Sequence, residues 1–563
     1  MDYELLLLNL SRNADSAAPH FMECIGQHLI AAYLAEHGFR AKVYSGDILR
    51  GEAVISHEVQ AHGVRYVGFY VGADNVVMVG NLIRKLKASF DVTVLVGGPE
   101  AAALEQTFLR KTGCDFIVAG EGERPILALL SCLEDGVGQL DAVANLRYLK
   151  PDGSLHRSPL EEPIRDLDAL PYPRREDSLR KNFRMGREIG LLTGRGCPFH
   201  CSFCYEGAAS KAVRLRSIPD VMGEIDEVRS YNPNLRQVNI YDDTFTLFPE
   251  RVREFGREMK RRGLKWTCEA HVSRVFRHPE MIEEMLDSGL IAMQIGIESG
   301  SQRVLDAYQK QITPEMIYQV VRHCHKAGLP LLEGNYIIGG ALESDDTLQE
   351  SLSHAKRLLH AGRGMLELNT VYFAPYFDTP ITKYPEKFGM RIRKDRLEHM
   401  VISMTEPVCE TESLSLNEII AWKQKFDEEL NRAYSLEASQ CQKSDLLRGI
   451  LSDSRMEIRN FKWYAAWSRI PHMQDFLLHS TAAEQTVSTD KYPIRLGNLH
   501  EENEDFIIVD HTSLTGLASK AWRWADGRCT ISQISTEHGI ATDELMSAYR
   551  SLNQNCFLYY SPF

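Results

Sequence analysis

Residues 194–207 have the sequence GRGCPFHCSFCYEG, in which Cys197, Cys201 and Cys204 lie within eight residues. The chain has 12 cysteines and the others are scattered singly, so composition does not explain the cluster. Three thiolates at this spacing can bind three irons of a [4Fe–4S] cluster and leave the fourth iron without a protein ligand. An open metal position is typical of catalytic sites, whereas structural sites are fully ligated. The stretch therefore predicts a catalytic iron–sulfur centre.

Two other interpretations of these cysteines are weaker. A structural zinc site usually has a fourth ligand, and His200 is adjacent to Cys201, where it would have difficulty completing a tetrahedron. Disulfides fit poorly because 12 cysteines in 563 residues is ordinary usage. The first ten residues, MDYELLLLNL, start acidic and have a short apolar run, which predicts a β-strand rather than a signal peptide.

The spacing CxxxCxxC, with the aromatic Phe203 before the last cysteine, closely resembles the signature of radical S-adenosylmethionine (SAM) enzymes. The resemblance implies that SAM binds the open iron through its amino and carboxylate groups. It also implies that one electron from the cluster cleaves SAM to a 5′-deoxyadenosyl radical. An electron donor such as flavodoxin or ferredoxin is then an expected partner.

Strand-like stretches on both sides of the cysteines predict the fold of residues 185–405. They are Glu188–Thr193, Arg236–Tyr241, Lys265–Glu269, Ala292–Ser299, Gly334–Glu343 and Leu368–Tyr372. Their order resembles the radical SAM core, which is a partial (β/α)6 barrel similar to a TIM barrel. Active sites of barrels lie at the C-terminal ends of the strands, so the polar residues there are candidate cofactor contacts.

The resemblance implies a role for several of these strand ends. Asp242 and Asp243, in the string DDTF, are expected at the amino group of SAM. Glu298 and Ser299, in GIES, are expected at the ribose hydroxyls. The backbone at Gly339, in IIGGALE, is expected to face adenine.

Glu269 ends another of the strands and is a further candidate contact to SAM or substrate. For each acidic residue the alternative is a solvated turn, and only their order behind the cysteines favours a site. Ala341 stands where proline is usual in the family. Phe377 and Asp378 replace a usual proline and glycine, so we expect that loop to be remodelled for substrate.

Residues 1–145 alternate strand-like and helix-like stretches, which predicts a doubly wound parallel sheet. Ligands of such sheets bind beyond the C-terminal ends of the strands. The strings Gly97-Gly98-Pro99 and Gly120-Glu121-Gly122 each follow a predicted strand. Glycine there allows a ligand to approach the backbone and its N–H groups. From the residues alone, simple tight turns are an equal alternative.

This set resembles the cobalamin-binding domain found ahead of many radical SAM cores, including the string GEGE before a helix at Pro125–Leu133. The resemblance implies cobalamin as the third cofactor. The string DxHxxG, whose histidine ligates cobalt in other cobalamin proteins, does not occur. The lower face of cobalt is then expected to meet another residue or none, with Val71, Gly72 and Asn75 as candidates. A nucleotide is the competing ligand, but neither GxGxxG after the first strand nor GxxxxGK[ST] occurs.

The last part of the chain is predicted to be helical over 406–490 and to form a small winged-helix-like module over 491–563. The strand DFIIV, the string AWRWADGRCTISQI and the closing apolar strand resemble PqqD-like modules, which recognise ribosomally made precursor peptides. In such modules a leader peptide adds as an edge strand. A structural cap and a nucleic-acid-binding winged helix are the alternatives.

Composition limits the remaining possibilities. With 44% hydrophobic and 25% charged residues, the chain resembles a soluble globular protein. No run approaches 18 apolar residues, so no membrane span and a cytoplasmic location are expected. A net charge of −13 does not favour a general nucleic-acid surface.

The sequence thus predicts an α/β protein with five segments. They are a cobalamin-binding domain (1–145), a linker (146–184), a radical SAM partial barrel (185–405), a helical region (406–490) and the terminal module (491–563). The whole resembles a cobalamin-dependent radical SAM enzyme. That resemblance implies hydrogen abstraction from an unactivated sp³ carbon, followed by transfer of a methyl group from methylcobalamin. A second SAM then restores the methyl group on the cobalamin.

The substrate stays open at this point. A leader-binding module would make it a residue of a precursor peptide, whereas a small metabolite or a ring-closing reaction would use the same cofactors. A tRNA-modifying enzyme would favour an extra cluster and a basic C-terminal domain, and the sequence shows neither. A cobalamin sensor would leave the three cysteines without a purpose.

Overall fold

The computed structural model describes most of the chain. The described residues are 3–11, 24–72, 75–136, 138–175, 188–205, 212–376, 378–393, 406–441, 461–467, 469–470, 488–495, 499–503, 506–509, 512–554 and 557–561. They form two compact units, each assembled from separate stretches of chain. One unit comprises Met1–Val320, Gly334–Ala355 and Leu368–Asp427, and the other comprises Val321–Glu333, Lys356–Glu367 and Glu428–Phe563. The five segment boundaries given above remain predictions.

The N-terminal part of the first unit is a seven-stranded sheet. Its strands are β1 (Leu5–Ser11), β2 (Ala41–Asp47), β3 (Tyr66–Tyr70), β4 (Thr93–Gly97), β5 (Phe116–Val118), β6 (Leu146–Leu149) and β7 (Leu155–Arg157). Their order is β2-β1-β3-β4-β5-β6-β7, and β1 to β5 pair in parallel. The strand order reverses between β1 and β3, which is where doubly wound sheets bind ligands.

Helices cover this sheet. They are Ile25–Glu36, Ile48–His62, Val76–Ser89, Pro99–Thr112 and Glu123–Asp135. The predicted doubly wound sheet is confirmed, and three elements were missed: the helix Pro99–Thr112 and the antiparallel strands β6 and β7. The two strands are short and bear charged residues, so they lack the apolar runs that mark β1 to β5.

The radical SAM-like core contains a second, six-stranded sheet. Its first to sixth core strands are Glu188–Leu191, Gln237–Ile240, Lys265–Ala270, Leu290–Glu298, Leu331–Ile338 and Leu366–Tyr372. They are ordered by sequence across the sheet, and the pairs among the first four are parallel. This arrangement confirms the predicted α/β fold with a partial barrel.

Helices alternate with the core strands, as the prediction requires. They are Ile218–Tyr231, Pro249–Arg262, Val272–Arg277, Glu280–Asp287, Gln302–Ala307, Pro314–Ala327, Asp345–Ala361 and Pro380–Lys383. A strand pair, Gly194–Arg195 with Arg214–Leu215, brackets the cysteine loop. None of the described helices is long and apolar enough to cross a membrane.

The remaining described residues include the predicted helical region and the terminal module. The region from 406 is not wholly helical, because Cys409–Thr411 forms a strand with Met390–Ile392 before the helices Leu416–Ala438 and Phe461–Trp467. In the terminal module the helices are Gly516–Trp524, Ile531–His538 and Thr542–Gln554. Its strands are Tyr492–Arg495, Leu499–Glu502, Phe506–Val509, Thr512–Thr515 and Leu558–Ser561.

The terminal module has more strands than predicted. A three-stranded antiparallel sheet is formed by Leu499–Glu502, Phe506–Val509 and Thr512–Thr515, and the first and last strands of the module pair with each other. The sequence pattern predicts a helix over Ser513–Trp524, but this helix begins at Gly516, because Thr512–Thr515 pairs with Phe506–Val509. A compact apolar core that includes Trp522 and Tyr549 joins sheet and helices.

Candidate cofactor-binding and active site

A cavity of about 670 Å³ opens at the C-terminal ends of β3, β4 and β5. Its opposite wall comes from the core, with Arg195, Gly196 and Tyr205 at the two ends of the cysteine loop and Asp243 after the second core strand. The linker residues 160–164 close a third side. This volume is in the range of cofactor pockets. Strands of two sheets therefore direct their C-terminal ends at one space.

The glycines after β4 and β5 fit a bulky ligand. A Cβ atom at Gly97 would meet no heavy atom within 4 Å, so the backbone there borders open space. Gly98 has φ of 104°, and a Cβ there would lie 2.3 Å from the carbonyl oxygen of Val71. Gly120 also has positive φ, and a Cβ at Gly122 would meet the Ile30 side chain at 2.9 Å. Of the predicted corrin contacts, Gly97 to Pro99 and Gly120 to Gly122 line the cavity.

The candidates after β3 lie elsewhere. Val71, Gly72 and Asn75 are not among the cavity-lining residues, whereas Tyr70 is. Asn75 is buried, accepts a hydrogen bond from the Gly72 N–H at 3.0 Å and donates to the Leu10 carbonyl at 3.0 Å. Its side chain thus fixes the ends of β1 and β3. The identity of the group below cobalt remains a prediction.

Hydrogen bonds from the core hold the cysteine loop. The Ser202 N–H donates to the Tyr308 carbonyl at 2.9 Å, and the Ser202 hydroxyl donates to the Ala307 carbonyl at 2.8 Å. The Ile381 N–H donates to the Ser202 carbonyl at 3.2 Å. Beneath the loop, Phe199 stacks on His271 with ring centroids 3.6 Å apart. The position of the thiols is therefore set by three separate core segments.

The three thiols lie near one another. Cys197, Cys201 and Cys204 pack in one apolar patch with Phe199 and Leu247, and their charges would influence one another. Three thiolates can each bind a different iron of a [4Fe–4S] cluster. Burial raises the pKa of the Cys197 thiol to about 11, so loading with iron would release protons.

A buried ion pair lies beside the cysteine loop. Lys310 Nζ is 2.7 Å from Glu298 Oε1, and both side chains are buried. Burial lowers the pKa of Lys310, but the attraction of the Glu298 carboxylate, and then of Cys201, is larger in sum. The pKa of the lysine is therefore raised. Gly296 makes the pair possible, because a Cβ there would lie 2.2 Å from Glu298 Oε1. Phe203 packs edge-to-face on Tyr308, and Lys310 lies 5.7 Å from the Phe203 ring.

Asp242 and Asp243 separate in space although they are adjacent in sequence. Asp242 is buried and accepts hydrogen bonds from the Thr193 N–H at 2.6 Å, from the Gly194 N–H at 3.1 Å and from the Thr193 hydroxyl. Burial raises the pKa of Asp242 to about 6 against these hydrogen bonds. Asp243 lines the cavity. Of the two, Asp243 is therefore the one placed to meet a ligand, and Asp242 fixes the strand that leads into the cysteine loop.

The other predicted SAM contacts differ in exposure. Glu269 is the penultimate residue of the third core strand and is exposed. Ser299 is buried, and its hydroxyl hydrogen-bonds with that of Ser351 at 2.9 Å. At Gly339, φ is 82° and the N–H donates to the carboxylate of Glu343. Burial raises the pKa of Glu343 to about 7. Whether these residues contact SAM remains a prediction.

Four arginine and glutamate side chains connect the two walls of the cavity. Arg195 Nη2 lies 2.6 Å from Glu123 Oε1, and Arg195 Nη1 lies 3.2 Å from Glu121 Oε2. Arg214 Nη2 lies 2.5 Å from Glu121 Oε1, and Arg214 also donates to the Ile164 carbonyl at 2.7 Å. Sequence reasoning missed this cluster and Lys310. The only available signal was the two arginines that flank the cysteine loop.

Two families match parts of the chain. Residues 17–130 match the B12 binding domain, and residues 191–355 match the Radical SAM superfamily. The first range contains β2 to β5 of the sheet that forms one cavity wall, and the second contains the three cysteines. The predicted cofactor set of a [4Fe–4S] cluster, SAM and cobalamin is therefore confirmed at the level of these two domains.

Relatives with assigned names are similar over about half of the chain. An uncharacterized methyltransferase of Pyrococcus horikoshii is 30% identical over 274 residues, which is 48% of this chain and 58% of that protein. An anaerobic magnesium-protoporphyrin IX monomethyl ester cyclase of Rubrivivax gelatinosus is 27% identical over 47% of this chain and 49% of that protein. The chain thus spans about half the length of the curated relatives it matches.

A solved structure supports the fold. The cobalamin-dependent SAM radical enzyme OxsB, with aqua-cobalamin bound, superposes with a TM-score of 0.63 over 84% of this chain and 76% of that chain. The sequences are 15% identical, so the similarity concerns the architecture alone. The predicted combination of a doubly wound sheet and a partial barrel is confirmed by it.

Proposed function

We propose that this chain, which contains a B12 binding domain and a radical SAM domain, is a methyltransferase that acts on an unactivated sp³ carbon of a ribosomally made precursor peptide. The reaction replaces one hydrogen of that carbon by a methyl group. One observation carries the proposal: the loops after β4 and β5 and both ends of the cysteine loop line the same cavity. A methyl donor and the site of hydrogen abstraction would therefore be close together.

The residues around the cavity have distinct tasks in this proposal. Cys197, Cys201 and Cys204 would hold the cluster, and the glycines after β4 and β5 would accommodate the corrin. When bound, the cofactors supply hydrogen abstraction and a methyl group. The chain would supply orientation and exclusion of water, and linker residues 160–164 would contribute to the latter as one side of the cavity. Asp243, on the cavity wall, is the acidic residue placed to bind a polar group of SAM or substrate.

The peptide substrate rests on the terminal module. Its three-stranded antiparallel sheet ends in the strands Leu499–Glu502 and Thr512–Thr515, and neither has a second partner strand among the described residues. An edge strand can bind an extended peptide through main-chain hydrogen bonds. The sheet has its own apolar core with the three helices, so an added strand would meet a stable platform.

Ring formation with the same cofactors is the second candidate, because one of the similar proteins is named a cyclase. The two reactions differ in product mass. Methylation adds one CH₂, whereas a ring built from a transferred methyl group has two hydrogens fewer. We further propose that the enzyme works in the cytoplasm with flavodoxin or ferredoxin as electron donor, because the cluster must be reduced.

The test begins with anaerobic protein reconstituted with iron, sulfide and hydroxocobalamin. We expect iron and sulfide for one cluster, one corrin per chain, and SAM consumption with dithionite. Cys201→Ala should abolish iron loading and SAM cleavage, since an iron loses its ligand, and should still bind one corrin. Cys132→Ala, a half-buried cysteine outside the loop, is the matched control and should behave as the wild type.

Product analysis then addresses the substrate. A short open reading frame beside the gene for this chain would support a peptide substrate. The peptide that it encodes is the probe, and mass spectrometry measures its mass after reaction. A gain of one CH₂ supports the proposal. A fully thiolate-capped or zinc-filled centre, or wild-type protein that binds corrin but never consumes SAM, contradicts it. Loss of both iron and corrin in Cys201→Ala would contradict the assignment of the cluster to one domain and of the corrin to the other.

A further inference from the structure

The cluster of charged residues between the cavity walls suggests more than added stability. Arg195 lies two residues before Cys197 and lines the cavity. It is also paired, as a β-bridge, with Arg214 on the far side of the cysteine loop. Any displacement of Arg195 would therefore be transmitted to the start of the loop that carries the thiols.

The partners of Arg195 come from the corrin side of the cavity. Its guanidinium bridges Glu123 at 2.6 Å and Glu121 at 3.2 Å, and both glutamates follow β5 in the GEGE string. The fork of donors on arginine suits such a bridge, which lysine cannot reproduce. Glu121 is also bound to Arg214 at 2.5 Å, so both arginines that bracket the cysteines are attached to one corrin-side loop.

This loop also carries Gly120 and Gly122, the glycines on the cavity wall. A ligand that presses on the wall must move or fix the loop, and with it the two carboxylates. The four charged side chains are partly exposed to the cavity, with 4% to 24% of their surface accessible. They are thus close enough to the ligand space to respond to it and buried enough to interact strongly.

We propose that Arg195 is a positioning residue that couples the corrin site to the iron–sulfur loop through Glu121 and Glu123. This inference rests on the proposed function, because it requires both cofactors. Coupling between two sites is reciprocal: a loaded cluster must favour corrin binding by the same factor as bound corrin favours loading of the cluster. That factor can be measured without any turnover.

The experiment is an anaerobic titration with hydroxocobalamin, followed by corrin absorbance, before and after reconstitution with iron and sulfide. For the wild type we expect at least about fivefold tighter corrin binding after reconstitution, the lower end of usual couplings. Glu123→Gln and Arg195→Lys should bring this ratio close to one while iron content stays normal. Glu134→Gln is the matched control, because Glu134 lies on the same helix as Glu123 and pairs with Arg65 at 2.5 Å but does not line the cavity. It should keep the wild-type ratio.

A second readout is the set of g values of the reduced cluster, taken from the EPR spectrum after subtraction of the cob(II)alamin signal. These g values should shift on addition of hydroxocobalamin in the wild type and not in Arg195→Lys. If Glu123→Gln fails to fold, as judged by thermal melting, the ratio measured for Arg195→Lys is the test, because this variant retains the positive charge. A wild-type ratio of one, or an unchanged ratio in Arg195→Lys, overturns the coupling. Wild-type protein that binds both cofactors and cleaves SAM without such a ratio refutes this inference alone. Absence of corrin binding or SAM cleavage refutes the proposed function itself.

Discussion

Substitution of Gly97 by residues of increasing size tests the location of the corrin. A Cβ atom at this position would meet no heavy atom within 4 Å, and the residue lines the cavity at the end of β4. Added atoms therefore enter the ligand space and touch no part of the folded chain. Overpacking of a well-filled site costs about 1–3 kcal/mol, and that range corresponds to roughly 5- to 150-fold weaker binding. We expect Gly97→Ala to have little effect and Gly97→Val and Gly97→Leu to fall in that range.

The assay is titration of each anaerobic variant with hydroxocobalamin, with thermal melting of the ligand-free protein measured in parallel. Melting should change by less than about 0.5 kcal/mol in the free energy of unfolding, since no packing contact is altered. Gly98→Ala provides the contrast, because its Cβ would lie 2.3 Å from the Val71 carbonyl oxygen at positive φ. That variant should lose stability before it loses affinity. Wild-type affinity in Gly97→Leu would show that the corrin lies elsewhere.

Two further predictions concern the core. Asp242→Asn keeps acceptor and donor atoms for the same three hydrogen bonds but cannot ionise. In the wild type, folding raises the pKa of Asp242 from 3.8 to about 6. The stability that comes from the protonated acid is therefore full below pH 4 and is lost as the pH rises through 6. A shift of two pKa units amounts to about 3 kcal/mol. Between pH 4 and pH 7 the free energy of unfolding, measured with denaturant, should therefore decline by that much less in the variant than in the wild type. An equal decline in both proteins would contradict the burial of this charge. Gly296→Ala should destabilise by about 3 kcal/mol, the low end for breaking a buried ion pair, because its Cβ would lie 2.2 Å from Glu298 Oε1 and 2.5 Å from Lys310 Nζ. Thermal melting measures this effect, with Gly97→Ala as the glycine control, and equal melting of the two variants would refute it.

The parallel strands could be predicted because each is a short apolar run between turn residues. Leu5–Ser11, Tyr66–Tyr70 and Thr93–Gly97 all have this pattern, and glycines mark the ligand end of the sheet. The cysteine spacing gave the iron–sulfur loop directly, since the ligands are close in sequence. The short strands β6 and β7 could not be found this way, because they depend on pairing with β5 rather than on their own composition.

The partners of the candidate residues were the part that sequence could not supply. Asp242 was expected at SAM, but its acceptor atoms are engaged by Thr193 and Gly194, which lie 49 and 48 residues earlier in the chain. Glu298 was a candidate for ribose, and the structure pairs it with Lys310. Such pairings depend on which strand ends become neighbours in the sheet. A motif identifies the residue type at a strand end, whereas the fold decides what that residue can still bind.

The linker carries an implication for the order of folding. Arg175, within it, is fully buried with Nη1 2.6 Å from Glu224 Oε1, and Glu224 also binds Arg216. A guanidinium without its counter-charge is strongly disfavoured in such surroundings. Arg175 of the linker can therefore be buried only after the helix Ile218–Tyr231, which carries Glu224, has formed. The barrel would then assemble before the linker packs against it. Because linker residues 160–164 line the cavity, a nascent chain would complete the cofactor cavity late in folding.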